Sequence, residues 1–218
     1  MPLLHWRNEV KLYDCKTAPS PRRVRIFAAE KGVEIEKVEI DLGSGEQFSP
    51  EFRAINPDCV VPVLEIDNGM RISEVLAICQ YLEEMYPQPT LFGSTPEQRA
   101  TTSMWNTKVE QQGLMAIRDA FRNSAKGLRG HAVTGPVGAE QIPELAERGR
   151  QGVTTFFERL EQQLGTNDFV AGAHFSIADI TALVLMDFAT WIKIGIPADA
   201  VNLRRWYDSV SSRPSASA

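Results

Sequence analysis

The chain has 218 residues, 43% of them hydrophobic, enough to bury a sizeable core as one domain or as two small ones. Its charged fraction of 23% is ordinary for a globular protein, and a formal net charge of −5 excludes the clustered basic excess of a nucleic-acid surface. No apolar run approaches the roughly 18 residues of a membrane-spanning helix, and the opening MPLLHWRNEV lacks the apolar core of a secretory signal, so a soluble cytoplasmic protein is expected.

The three cysteines, Cys15, Cys59 and Cys79, are odd in number and form no CxxC pair, which argues against a disulfide framework and a thiol-disulfide motif. Small core hydrophobes in a reducing compartment are the simpler reading, above all for Cys79 among apolar helix positions. His5, His131 and His174 lie far apart with no metal-ligand companion at helical spacing, so no metal is expected.

In chain order, VKLYDC (residues 10–15) alternates and is bounded by a proline-containing loop, which predicts a strand. Ser20 then stands as the N-cap of a helix with Pro21 as its first residue and Gly32 as its stop. EIEKVEIDL reads as a second strand, and Ser49 with Pro50 repeats the cap-then-proline signature before EFRAINP, a short helix ended by Pro57. VVPVLEI (residues 60–66) is strongly β but is interrupted by Pro62, which cannot donate to a ladder. DNG marks a hairpin into a short strand MRI, and Ser73 is predicted to cap a helix whose Ala77, Ile78, Tyr81, Leu82 and Met85 share a face until Pro87.

Beyond Pro87 the texture changes. PQPTLFGSTPEQ is rich in Pro, Gly, Ser and Thr, and no convincing strand follows it. The expected fold class is therefore α+β in two domains: a βαβαββα domain over 1–87, a linker over 88–95 and an all-α domain over 96–218. Thr95, Pro96 and Gln98 form a capping box that opens a long helix through Trp105 and Leu114 towards Phe121. A glycine-rich connection (Gly127 to Gly138) leads to a helix opened by Pro143 and closed by Gly165. FSIADI carries a capping box between Ser176 and Asp179, and NLRRWYDSV is a last amphipathic helix before Pro214 and a short low-complexity SASA end.

In combination and order, SPRRVRIFAAEKG, INPDCVVPVLEIDNG, ISEVLAICQYLEEMYP, FVAGAHFSIADI and NLRRWYDSVSSRP resemble the cytosolic glutathione transferases, from Lys11 to about Pro214. The resemblance implies a thioredoxin-like N-terminal domain that binds glutathione as co-substrate and a helical domain that shapes the second-substrate pocket. It also implies a homodimer and an enzyme that transfers glutathione to a small hydrophobic electrophile. It assigns a cis-proline to Pro62, with the Val61 backbone paired to the cysteinyl backbone of glutathione like an added strand. Glu74 matches the acid that takes the γ-glutamyl ammonium, although Val75 replaces the family's usual Ser or Thr and offers only its N–H, a loss of about 1 kcal/mol. Taken alone, Glu74 is equally an acid stabilising a first helical turn. Gln47 is a candidate for the glycyl carboxylate, and Trp105, Lys108 and Trp191 for the second-substrate pocket, although aromatics on long helices are more often core.

The chemical task is to stabilise a thiolate. A free cysteine thiol has a pKa of about 8.5, and lowering it by two units requires about 2.7 kcal/mol. Ser20 at the start of a helix, followed by Arg22 and Arg23 where acids are usually preferred, suits an anion, unless both arginines face solvent. The serine-type position of the family falls on Ala18, so Ser20 is the candidate hydroxyl, Thr17 the alternative, and Tyr13 lies too far back. Two other readings stay open: a glutathione-dependent peroxide or disulfide reductase, and a non-catalytic transferase-like module that binds ligands or a protein. A thiol-disulfide oxidoreductase is disfavoured because Ala18 stands where its cysteine would be.

Overall fold

The computed structural model describes residues 10–218; His5 and the rest of the opening stretch through Glu9 lie outside them. The N-terminal part is a mixed four-stranded sheet in the order β2-β1-β3-β4. Strand β1 (Lys11–Asp14) runs parallel to β2 (Glu36–Glu39) and antiparallel to β3 (Val63–Glu65), which turns back into β4 (Arg71–Ser73). Helices α1 (Pro19–Glu30), α2 (Pro50–Ile55) and α3 (Val75–Met85) complete the predicted order, which is a thioredoxin-like arrangement. One apolar cluster joins β1, α1 and α3 to the helical part of the chain; a smaller one gathers Ile40, Phe52 and Val63 on the α2 side.

Caps decide where these helices start. Ser49 caps α2 as expected, its Oγ accepting the Phe52 N–H at 3.1 Å. Helix α1 corrects the expectation: Ala18, not Ser20, is its N-cap, and Pro19, not Pro21, its first residue. APSP offers two successive X-Pro starts, and proline costs no hydrogen bond at either, because no N–H of the first turn has an intrahelical partner. The earlier start is fixed by the Ala18 N–H, which bonds the Cys15 carbonyl at 2.9 Å, while the Ala18 carbonyl accepts the Arg22 N–H at 3.3 Å.

Helix α3 carries a second correction. Ser73 remains in β4, paired with Val63, and the N-cap is Glu74 at φ 70° with no side-chain cap bond. The chain passes from strand to helix within this one residue, in the left-handed region that non-glycine residues seldom adopt. Ile78 and Leu82 are fully buried as predicted, and Ala77 and Tyr81 half-buried, but Met85 is 40% exposed at the end of the helix.

The C-terminal part is helical throughout. Thr95 caps α4 (Pro96–Lys108), accepting the Gln98 N–H at 3.2 Å, while Gln98 Oε1 reaches back to the Ser94 N–H, one residue before the expected partner. The predicted long helix continues to Arg122 through a π-helical segment, Val109–Leu114, before α5 (Met115–Arg122). Helix α6 spans Pro143–Leu164, α7 Ile177–Ala189 and α8 Val201–Ser211. Gly113 and Gly149 permit close approach here. A Cβ at Gly113 would lie 2.4 Å from Leu185 Cδ2, and one at Gly149 only 2.5 Å from the Ala116 carbonyl oxygen.

The predicted capping box forms at the start of the buried helix α7. Asp179, fully buried, accepts the Ser176 N–H and hydroxyl at 3.0 Å each and the Val170 N–H and Trp206 Nε1–H at 2.8 Å each. Burial pushes its pKa up to about 6 against the four donors that lower it. Among the described residues no helix is long and apolar enough to cross a membrane.

The SASA end is no loose tail. Pro214–Ser217 form a 3₁₀ turn with Ser215 and Ala216 buried. Arg213 grips Glu30 of α1 through two bonds of 2.8 and 2.6 Å, and the Ser215 hydroxyl joins them. Arg22 completes the bolt, donating to Asp187 at 2.6 Å and to the Ala216 carbonyl at 3.0 Å.

Candidate active site

A cleft of about 1270 Å³ opens between the sheet side and the helical side of the molecule. Thr17, Ala18 and Ser20 enter it from the β1–α1 turn, Gln47 from a 3₁₀ turn (Glu46–Phe48), Val61 and Pro62 from the entry to β3, and Glu74 and Val75 from the start of α3. Seven of the predicted residues, Thr17, Ser20, Gln47, Val61, Pro62, Glu74 and Val75, thus share one cleft.

Ser20 sits at the second position of α1, where its backbone N–H has no intrahelical acceptor. Pro19 and Pro21 on either side carry no N–H, and the Arg22 N–H is taken by Ala18. Among the described residues neither the Ser20 N–H nor its hydroxyl takes a partner, so both remain available to an anion in the cleft. Thr17 is less available: its Oγ1 lies 3.6 Å from the Cys15 thiol. Tyr13, placed too far back by the sequence, points away and donates to Glu65 at 3.3 Å.

The two arginines of the first turns part company, and neither faces solvent. Arg22 ties α1 to α7 and the C-terminal turn, whereas Arg23 is buried, lines the cleft, and donates to Glu110 of the π-helical segment at 2.7 Å. Among the described residues its Nε is buried without a partner.

The remaining co-substrate candidates present unpaired polar groups. The Val61–Pro62 peptide is cis, and among the described residues the Val61 N–H and C=O have no partner. Glu74 is exposed, forms no ion pair among the described residues, and stands before a first turn whose N–H groups are free. Among the described residues Gln47 Oε1 is buried without a partner, a cost the fold carries unless a ligand donor meets it.

The second-substrate assignment needs correction. Trp105 is 7% exposed, with the Lys108 ammonium 4.5 Å from its ring and the Arg159 guanidinium 5.7 Å from it, and neither Trp105 nor Lys108 lines the cleft. The indole is core and the lysine lies along it. Trp191 does line the cleft, edge-on to Phe121 and Phe188, with centroids 5.5 and 4.9 Å away. The sequence reading also missed Leu114, Met115, Arg118, Arg122 and His131 on this wall. Gln111, Leu114, Met115, Arg118, Phe121 and Arg122 recur at helical spacing on one face, a signal that the polar side chains among them hide from a search for apolar periodicity. His131 stacks on Phe48 across the cleft, centroids 5.9 Å apart.

Comparison with known proteins agrees with this architecture. The glutathione S-transferase N-terminal domain family matches residues 17–85 and the C-terminal domain family residues 121–214. Glutathione S-transferase 2 of Saccharomyces cerevisiae is 35% identical over 212 residues, 96% of this chain and 88% of that one. The crystal structure of Gtt2 from the same yeast superposes with a TM-score of 0.86 at 36% identity, covering 94% of this chain and 97% of that one. A class Gtt2 enzyme of Vibrio parahaemolyticus gives 0.81 at 33% identity, covering 94% of both chains. With relatedness over nearly its whole length, a thioredoxin-like half and a helical half around one cleft, the chain belongs to the cytosolic glutathione S-transferase family and is a glutathione S-transferase enzyme.

Proposed function

We propose that glutathione lies along the sheet side of this cleft and that Ser20 is its activating hydroxyl. The Val61 N–H and C=O pair with the cysteinyl backbone beside Pro62. Glu74 takes the γ-glutamyl ammonium, the Val75 N–H meets the γ-glutamyl carboxylate, and Gln47 reaches the glycyl end. The glutathione thiol gives its proton to solvent, and the thiolate is held by the Ser20 hydroxyl and N–H at the positive end of α1. Its sulfur attacks an apolar electrophile on the helical wall; a C–S bond forms, and the leaving group departs with the electron pair. Three units carry out this work: a co-substrate domain over residues 1–87, a linker over 88–95 and a pocket domain over 96–218, in a cytoplasmic homodimer.

The observation that carries the assignment is the isolation of Ser20: among the described residues its hydroxyl and N–H are both unbonded in the cleft, between two prolines that offer no donor. Turnover of glutathione with 1-chloro-2,4-dinitrobenzene tests it. Ser20→Ala is expected to lower kcat by about tenfold to a hundredfold, and Thr17→Ala by less than about threefold. A larger loss in the Thr17 variant would move the role to Thr17.

A reductase reading uses the same cleft and the same glutathione thiolate. There the same thiolate would attack a peroxide oxygen and a second glutathione would complete the reduction, giving glutathione disulfide, an alcohol and water. Formation of glutathione disulfide from an organic hydroperoxide separates it from conjugation, and serine variants of Cys15 and Cys59 should leave that turnover unchanged, because glutathione supplies both electrons.

A further inference from the structure

The helical wall of the cleft carries an imbalance of charge that an apolar electrophile does not need. Its charged residues are Glu110, Arg118 and Arg122, and Glu110 is already neutralised by Arg23 at 2.7 Å. Among the described residues the exposed Arg118 touches a carboxylate only at 3.4 Å, that of its half-buried neighbour Asp119. Arg122, half-buried, makes no ion pair among the described residues. Its Nε and Nη2 donate to the carbonyls of Ala132, His131 and Val133 at 3.1, 2.5 and 2.9 Å, and among the described residues its Nη1 takes no partner. Burial, and after it the charge of Arg118, lower the pKa of Arg122. The two guanidinium groups stand four residues apart on α5, beside the aromatic wall of Phe121, Phe188 and Trp191, whose indole is 50% exposed.

We propose that the second substrate is an anionic electrophile, an aromatic or unsaturated body bearing a carboxylate, with the body on the aromatic wall and the carboxylate on Arg118 and Arg122. Guanidinium and carboxylate match in shape as well as charge, and a partly water-excluded cleft strengthens their attraction. Arg122 is already oriented by three carbonyls, so it gives up little side-chain freedom on binding, while the more exposed Arg118 closes on the ligand. The proposal rests on the transferase reading above and replaces its apolar electrophile with an anionic one.

The test uses a matched pair of electrophiles, 4-chloro-3,5-dinitrobenzoate and 1-chloro-2,4-dinitrobenzene. In both, glutathione sulfur bonds to the chlorine-bearing carbon, chloride leaves with the electron pair, and the thiol proton goes to solvent. The ratio of kcat/KM, benzoate over neutral compound, is expected to fall about tenfold in Arg118→Gln and to recover largely in Arg118→Lys. It is also expected to fall in the wild type as salt rises. A ratio unchanged by the substitution and by salt overturns the proposal while leaving the transferase reading intact. Should the wild type turn over neither compound, that reading fails, and calorimetric binding of 3,5-dinitrobenzoate against 1,3-dinitrobenzene decides the inference separately. Preference for the benzoate that Arg118→Gln abolishes supports it; equal binding overturns it.

Discussion

On the sheet side of the cleft most of the groups that face a ligand belong to the main chain: the Ser20 N–H, the Val61 peptide and the free N–H groups at the start of α3. On the helical side they are side chains, Leu114, Met115, Arg118, Phe121 and Trp191 among them. Main-chain donors are fixed wherever the fold is fixed, so the first wall suits a ligand shared across a family. Side chains change without disturbing the backbone that carries them, so the second wall can be retuned to a new electrophile.

The comparison breaks first where the helical wall depends on close packing. Gly149→Ala would drive a Cβ to 2.5 Å from the Ala116 carbonyl and 2.7 Å from the Ala120 nitrogen, both main-chain atoms of α5 that cannot swing aside. A loss of about 3 kcal/mol in unfolding free energy is expected, read from a denaturant midpoint. Glutathione binding to whatever remains folded should persist, because the sheet side does not include this contact.

On the sheet side the largest expected effect on glutathione affinity is at Glu74. Glu74→Gln removes the charge opposite the glutathione ammonium, and calorimetry should show affinity lower by about tenfold. Val75→Thr supplies the hydroxyl the family usually has and should tighten binding by a few-fold, in line with about 1 kcal/mol for one hydrogen bond.

A smaller effect is expected at the bolt between the two sides. Hydrogen bonds from Arg213 and Ser215 outweigh the opposing effect of burial and hold the Glu30 carboxyl below its usual pKa of 4.5. A carboxyl depressed in the folded state adds stability above its unfolded pKa and loses it as pH falls through the folded value. Wild type should therefore exceed Glu30→Gln by about 1 kcal/mol at pH 7, discounted for an Arg213 side chain that is 36% exposed. The gap should close below pH 4.5, as thermal melts across that range would show.

Much of this division was legible in the sequence. Ser49, Thr95 and Ser176 cap helices as their spacing predicts, and the interrupted VVPVLEI run singled out Pro62, whose peptide is cis as the family resemblance implies. The failures have local causes. APSP contains two equivalent helix starts, and only the Cys15 to Ala18 hydrogen bond chooses between them. Ser73 looks like a cap but is held in a ladder, leaving Glu74 to turn the chain at positive φ. The helical wall was hardest to foresee, since its polar side chains hide it from a search for apolar periodicity and a buried Trp105 looks the same in sequence as an exposed Trp191. Docking of the SASA end depends on pairs such as Arg213 with Glu30, 183 positions apart, which no local pattern encodes.

The most direct test of the central claim is the ultraviolet thiolate absorbance of bound glutathione, titrated with pH on wild type and Ser20→Ala. Wild type should lower the thiol pKa below its free value of about 8.5, and the variant should raise it again by about one unit or more. Because Ser20 is not the cap of α1, the variant should fold with nearly unchanged stability, so the shift can be read without a folding correction. Equal pKa values on the two proteins would contradict the account and leave the thiolate to the helix end alone.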